Sequence, residues 1–190
     1  MKNNVINGPF YQENFLSFEE QKLIVSEIDD SIWNMNLKRR VQHYGYIYDY
    51  KKKNIDQDLK IGGLPNWLLL LEQKIKTNFN LENSFDQVII NEYQPGQGIL
   101  SHIDCIPCFE DIIISVSLLS SCVMQFSKDE EKQDLLLSPR SILLLSGEAR
   151  YKWKHGIKSV KNDKWLNTII PRERRISITF RKIKPKLLLK

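Results

Sequence analysis

Cysteine and histidine are both scarce, with three of each among 190 residues. An odd cysteine count argues against a disulfide framework, so a reducing intracellular compartment, cytoplasmic or nuclear, is expected. Long hydrophobic runs are also missing. The apolar stretches Leu68–Leu71, Leu135–Leu137 and Ile142–Leu145 fall far short of the roughly 18 residues that cross a bilayer, which excludes a membrane span. The opening MKNNVINGPF lacks the charged start, apolar stretch and small-residue cleavage site of a secretory signal. There is no repeat and no low-complexity segment. A chain of this length fits one domain over residues 1–190, expected to be a monomer.

What is present is an ordinary globular composition, 42% hydrophobic and 27% charged. The net charge is +5. Its basic residues gather at Lys38–Arg40, Lys51–Lys53, Lys152–Lys164, Arg172–Arg175 and Arg181–Lys190, the last ending in a basic tail over 184–190. Such a surface suits a phosphate-bearing partner, although a solvated lysine-rich face accounts for the charge equally well.

Ser17-Phe18-Glu19-Glu20 is a capping box, and it predicts a helix over Phe18–Asp29 that buries Leu23, Ile24 and Ile28. Val41–Tyr50 alternates, with Tyr44, Tyr46, Tyr48 and Tyr50 on one face, and reads as a strand or hairpin. After Gly62-Gly63-Leu64, Pro65 can open a second helix in which Trp67, Leu71, Ile75 and Phe79 recur every four residues. From Asp86 the period changes to two. Strands are predicted over 87–93, 98–104, 111–119, 122–127, 141–146 and 175–183, with a turn-like stretch over 127–133 and a loop over 158–174. Two helices followed by many short strands imply an α+β fold, whose core closes as a double-stranded β-helix, or jelly roll, with both N-terminal helices packed on it.

Two of the three histidines sit in suggestive places. In a strand, His102 and Asp104 point to one face and present an imidazole beside a carboxylate. His155 could arrive across the sheet as a third ligand, and a set of two histidines and one carboxylate leaves positions open on Fe(II) for oxygen chemistry. The strand 175–183 puts Arg175, Ser177, Thr179 and Arg181 on one face and Ile176, Ile178 and Phe180 on the other. If the polar face looks into the roll, two guanidinium groups can clamp a dicarboxylate. Asn91 and Tyr93, also two apart, could add neutral hydrogen bonds.

Asn91-x-Tyr93-x-Pro95-Gly96, His102-x-Asp104, Gly147-Glu148-x-Arg150, His155-Gly156-Ile157 and Arg175-x5-Arg181, in this order and spacing, resemble the AlkB family of Fe(II)- and 2-oxoglutarate-dependent dioxygenases. The stretches RVQHYGYIYDY, GGLPNW and GEARYKWKHGI resemble most its eukaryotic tRNA wobble-uridine-hydroxylating branch, and the RNA-demethylating branch less. The resemblance implies Fe(II) held by His102, Asp104 and His155, with 2-oxoglutarate and O2 as cosubstrates. It implies that Arg175, helped by Tyr93, grips the distal carboxylate, with Asn91 and Arg181 near the chelating end. Ser177 stands where many relatives have asparagine. Oxidative decarboxylation to succinate and CO2 would be coupled to hydroxylation of a substrate C–H.

The resemblance also makes residues 38–53 a nucleotide lid, with Arg40, Tyr44, Tyr46 and Tyr48 as substrate-binding candidates beside a single-stranded or extruded base. The partner expected is nucleic acid, RNA such as tRNA before DNA, and a separate RNA-binding or methyltransferase subunit could supply affinity. Ile106 occupies the position where base-repairing relatives carry aspartate and tRNA-hydroxylating ones histidine. Cys105 and Cys108 read as two inert loop thiols, and His43 as a surface or core residue. Two other classes compete: an oxygenase acting on protein or a metabolite, and a catalytically silent nucleic-acid-binding module.

Overall fold

The computed structural model describes residues 6–35, 38–49, 52, 54–55 and 57–188. Tyr50, Lys51 and Lys53, counted above in the tyrosine face and a basic cluster, lie outside the described residues. In chain order come β1 (Pro9–Gln12), α1 (Phe18–Asp29), β2 (Val41–Tyr44) and α2 (Asn66–Phe79). Then follow β3 (Gln87–Tyr93), β4 (Ile99–His102), β5 (Phe109–Leu118), β6 (Cys122–Lys128), β7 (Glu131–Leu137) and β8 (Ser141–Leu145). The chain closes with α3 (Gly147–Tyr151), β9 (Lys154–Ile157), β10 (Asn162–Trp165), β11 (Thr168–Pro171) and β12 (Arg175–Ile183).

Helix α1 begins where its capping box requires. Ser17 Oγ accepts from the Glu20 amide at 3.1 Å, and the Glu20 carboxylate accepts from the Ser17 amide at 2.7 Å. Its inward face is Gln21, Ile24 and Ile28, while Leu23, expected inside, is 68% exposed. One residue turns a helix by about 100°, so Leu23 cannot share the stripe that Ile24 and Ile28 define. In α2 the inward face is Leu68, Leu71, Glu72 and Ile75; Trp67 and Phe79 are half-buried at its margins.

Six strands pair in the order β1-β8-β5-β12-β3-β2, and four in the order β4-β9-β6-β7, the sheet-over-sheet arrangement of a jelly roll. Strict alternation in β12 divides the core. Ile176, Ile178 and Phe180, fully buried, join Val88, Ile90, Val116 and the inward faces of α1 and α2 on the outer side of the six-stranded sheet. Arg175, Ser177 and Arg181 face the other way, toward the space between the sheets, where Tyr93, Phe109, Met124, Phe126, Leu143 and Ile157 pack.

Other expectations are corrected. The stretch 158–174 is not a loop, since β10 and β11 form a two-stranded hairpin within it. The stretch 127–133 is mostly strand: β6 and β7 run on to a tight turn at Lys128–Glu131, with Asp129 at φ 51°. Residues 127–133 read SKDEEKQ, with no apolar side chain, so period-two burial gave no signal there. The tyrosine alternation stops at Tyr44 because Gly45 takes φ 77° and ends β2.

Candidate metal centre and its cavities

Strands β4 and β9 pair antiparallel with His102 opposite His155, ring centroids 4.6 Å apart. Gly156 permits this approach, because a Cβ there would lie 2.8 Å from the Ser101 Cα. Asp104 lies two residues beyond the end of β4, not within it, yet the donor atoms of His102, Asp104 and His155 all lie within 4.8 Å of one another. His102 Nδ1 sits 2.8 Å from the Leu100 carbonyl, so in the Nδ1–H tautomer it donates there and leaves Nε2 free to coordinate. His155 turns Nε2 toward Asp104 Oδ2 at 3.6 Å.

The electrostatics suit ligation. Burial alone would favour protonated Asp104, but Arg181, whose Nε and Nη2 lie 2.9 and 2.7 Å from Oδ1, holds the carboxyl well below the usual range, with help from His155, His102 and Arg150. Burial pulls the His155 imidazole down to about 4, against the attraction of Asp104, so it is neutral and able to donate a lone pair at physiological pH. Two imidazoles and one carboxylate, with one side open, are the donor set of a divalent metal that keeps coordination positions free.

Arg150, on α3, is 2% exposed and hydrogen-bonds no carboxylate among the described residues. It donates instead to backbone carbonyls of the segment that carries Asp104: Nη1 to Asp104 at 2.9 Å, Nη2 to Cys105 at 3.3 Å, and Nε to Glu110 at 3.3 Å. Arg150→Met, similar in volume but without donors, should destabilise the protein by about 2–5 kcal/mol in chemical denaturation, because those carbonyls lose their buried partner. It should also weaken metal binding roughly 10–100-fold by loosening Asp104. In the same segment Cys105 and Cys108 are joined as a disulfide, contrary to two loop thiols. The turn in which the Cys108 and Phe109 amides both donate to the Cys105 carbonyl at 3.2 Å brings their sulfurs together, a local closure that counting cysteines does not register. Cys122 is the free buried cysteine, its thiol pushed up by burial.

Two cavities meet the triad. The inner one, between the sheets, is walled by Asn91, Tyr93, Ser115, Ser177, Thr179 and Arg181 together with His102, Asp104 and His155. Arg175 sits opposite Tyr93 in register, with its guanidinium 5.5 Å from that ring. Its Nη2 donates to Ser117 Oγ at 2.8 Å, while buried Nε and Nη1 have no partner among the described residues. Two unanswered N–H groups on a buried cation are what a carboxylate would satisfy. Ser177 Oγ is 3.0 Å from Ser115 Oγ.

The outer cavity, of about 630 Å³, opens on the other side of the triad and is walled by Arg39, Tyr48, Ile89, Leu100, Pro107 and Phe109 among others. Tyr48 is there, its ring 6.2 Å from that of Phe109. The other lid candidates are elsewhere. Arg40 forms a bidentate pair with Glu92 and lies over Trp33. Tyr44 meets Trp67 edge-on at 6.0 Å on the outer side of the sheet, and Tyr46 is buried in the inter-sheet core. Arg39 takes the place expected of Arg40 and donates to Asn91 Oδ1 at 2.8 Å. Adjacent residues on an extended segment face opposite ways, so the triplet Lys38-Arg39-Arg40 could not by itself say which arginine looks inward.

Residues 8–181 match the 2OG-Fe(II) oxygenase superfamily. The chain belongs to that family. It is AlkB-like within it: 37% identical over 204 residues to the "Alkylated DNA repair protein ALKBH8 homolog" of Arabidopsis thaliana, covering 94% of this chain and 59% of that protein. It is 39% identical over 166 residues to the "tRNA (carboxymethyluridine(34)-5-O)-methyltransferase ALKBH8" of Macaca fascicularis, covering 82% of this chain and 25% of that protein. The chain thus spans well under two thirds of either relative. The solved structure of OsALKBH1 superposes with a TM-score of 0.72 at 14% identity, over 94% of this chain and 98% of that one, which supports the double-stranded β-helix fold. Fe(II), 2-oxoglutarate and O2 are the cofactor and cosubstrates of this oxygenase family, and the donor set and the unsatisfied Arg175 fit the first two. No helix among the described residues is long and apolar enough to cross a membrane.

His43, on β2 opposite Ile89, backs the outer cavity wall. Burial, with the nearby Arg181 cation, lowers it to about 4 from an ordinary 6.5. A depressed folded value means that its contribution to stability is complete above pH 6.5 and drains away as pH falls toward 4, by up to about 3 kcal/mol. Denaturation of the metal-free protein between pH 7 and pH 4 should show this loss, and His43→Gln should flatten that part of the profile.

Proposed function

We propose that the chain is the oxygenase unit of an enzyme that oxidises a modified base in nucleic acid, with a wobble-uridine side chain of tRNA as its substrate. The observation that carries the reading is the outer cavity: an opening beside the triad, large enough for a nucleobase, mostly apolar, and bearing two cations on its wall, Arg181, which is committed to Asp104, and Arg39, which pairs with no carboxylate among the described residues. An apolar slot with Tyr48 and Phe109 fits the face of a base. A guanidinium within it fits a base whose side chain ends in a carboxylate, the kind of substituent named for the macaque relative. Ile106 is 41% exposed and outside the cavity lining, so Cys105 and Pro107 form the wall at that point.

In this reading His102, Asp104 and His155 hold Fe(II), which when bound supplies activation of O2 coupled to decarboxylation of 2-oxoglutarate into succinate and CO2. Arg175, with Ser117 beneath it and the Tyr93 ring beside it, anchors the distal carboxylate. Arg181 keeps Asp104 ionised and fixes its orientation. Asn91, held by Arg39, links the two cavities, so that substrate in the outer one is sensed beside the cosubstrate in the inner one. Tyr48, Phe109 and Leu100 exclude water and aim the substrate C–H at the triad.

The test is incubation with total tRNA and with N-methylated oligonucleotides under Fe(II), 2-oxoglutarate and ascorbate, followed by mass spectrometry of nucleosides. One added oxygen on a wobble uridine supports the reading. Loss of methyl groups from adenosine with tRNA uridines unaltered replaces it with oxidative demethylation.

A further inference from the structure

We infer that a lysine strip on the β10–β11 hairpin side of the outer cavity carries the phosphates of the RNA strand flanking the target nucleotide; this rests on the reading of the substrate as RNA. The hairpin stands apart from both sheets and is pinned at its base. Buried Asp163 and Arg172 pair at 2.5 and 2.6 Å, Asp163 accepts from the Val123 amide at 3.1 Å, and Arg172 Nη1 donates to the Lys158 carbonyl at 2.6 Å and the Gln97 carbonyl at 3.2 Å.

Those bonds set the hairpin against the turn that links β3 to β4. The Gly96 amide donates to the Val160 carbonyl at 3.1 Å. From its other side, the same turn is tied to the segment entering the cavity, where Gln97 Nε2 donates to the Lys38 carbonyl at 2.7 Å. Arg39, the next residue, is already in the cavity wall. A continuous surface therefore runs from the cavity through Lys38 and the turn to Lys158, Lys161 and Lys164.

Charge along this path is uncompensated. Lys38, Lys158, Lys161 and Lys164 are all exposed, and among the described residues none of them enters an ion pair. The carboxylates beneath them are already committed: Asp163 to Arg172, and buried Glu92 to Arg40 and Arg174. On the outward face of the hairpin Lys164 stands opposite Ile169, which is 70% exposed, so apolar surface lies beside the charge. A strip held in place by the buried Asp163–Arg172 pair is ordered before RNA arrives and costs little to organise on binding.

The experiment compares the wild-type chain, K158Q/K161Q/K164Q, and a control with three lysines removed elsewhere, K22Q/K132Q/K186Q. Fluorescence anisotropy measures binding of a labelled anticodon stem-loop RNA over a salt series. For the strip variant, the slope of log affinity against log salt should fall by about 2, roughly 0.7 for each phosphate that a lysine no longer neutralises, with the control near wild type. Succinate formation in the absence of RNA should be the same for all three proteins. Equal slopes for wild type and strip variant, or an equal fall in the control, overturn the strip and leave the RNA reading standing. A wild-type chain that binds no RNA overturns both.

Discussion

Alanine at His155 should end 2-oxoglutarate consumption. His155 supplies one of three donors within 4.8 Å of one another, and two remaining ligands make a poor ferrous site. Groups that merely orient a ligand are worth about 10–100-fold in metal affinity or activity, so removal of a ligand should cost more than about 100-fold in succinate formation. The fold should survive, because the imidazole borders the inner cavity and the surrounding core is built by its neighbours Trp153 and Ile157. An unchanged melting temperature with no succinate is the expected pair of results. Retained turnover would show that the metal lies elsewhere.

Arg175→Met should separate stability from function. Arg175 is a buried cation whose Nε and Nη1 lack partners among the described residues, and a buried charge incompletely answered is a liability that an apolar replacement of similar volume relieves. The variant's melting temperature should therefore hold or rise. Its Michaelis constant for 2-oxoglutarate should instead rise steeply, since losing one partner of a buried charge pair costs about 2–5 kcal/mol, or roughly 30-fold to several thousandfold. Steady-state kinetics over a 2-oxoglutarate series, read beside thermal melts, checks both halves. A lower melting temperature with an unchanged Michaelis constant would mean that Arg175 serves the core alone.

The parts of this structure that could be read from sequence are those where local chemistry and tertiary burial agree. Ser17 and Glu20 fix the start of α1, and the alternation of Ile176, Ile178 and Phe180 against Arg175, Ser177 and Arg181 sets β12 and the polar face turned into the roll. The triad was legible for a related reason. Residues two apart near a strand end stay neighbours even though Asp104 has left the strand.

What could not be read depends on partners distant in the chain. Whether Arg39 or Arg40 faces the cavity turns on a one-residue phase that Glu92 and Asn91, on β3, decide between them. The tyrosine series kept its alternation in sequence and lost it in space at Gly45, so that Tyr44 joined the helix side while Tyr48 reached the cavity. Arg150 gave no periodic signal, because its partners are carbonyls more than 35 residues away, those of Cys105 and Glu110 among them. The β10–β11 hairpin is held by the Asp163–Arg172 pair and the backbone groups it binds, the Val123 amide and the Lys158 and Gln97 carbonyls, all set by partners that local periodicity does not reveal.

The most direct measurement is an anaerobic calorimetric titration of Fe(II) into the wild-type chain and into the His102→Ala, Asp104→Ala and His155→Ala variants, with and without 2-oxoglutarate. One ion per wild-type chain, bound more tightly when 2-oxoglutarate is present and lost in each of the three variants, is the expected result. Fe(II) that binds with undiminished affinity after any of these replacements would contradict a metal centre built from these three side chains.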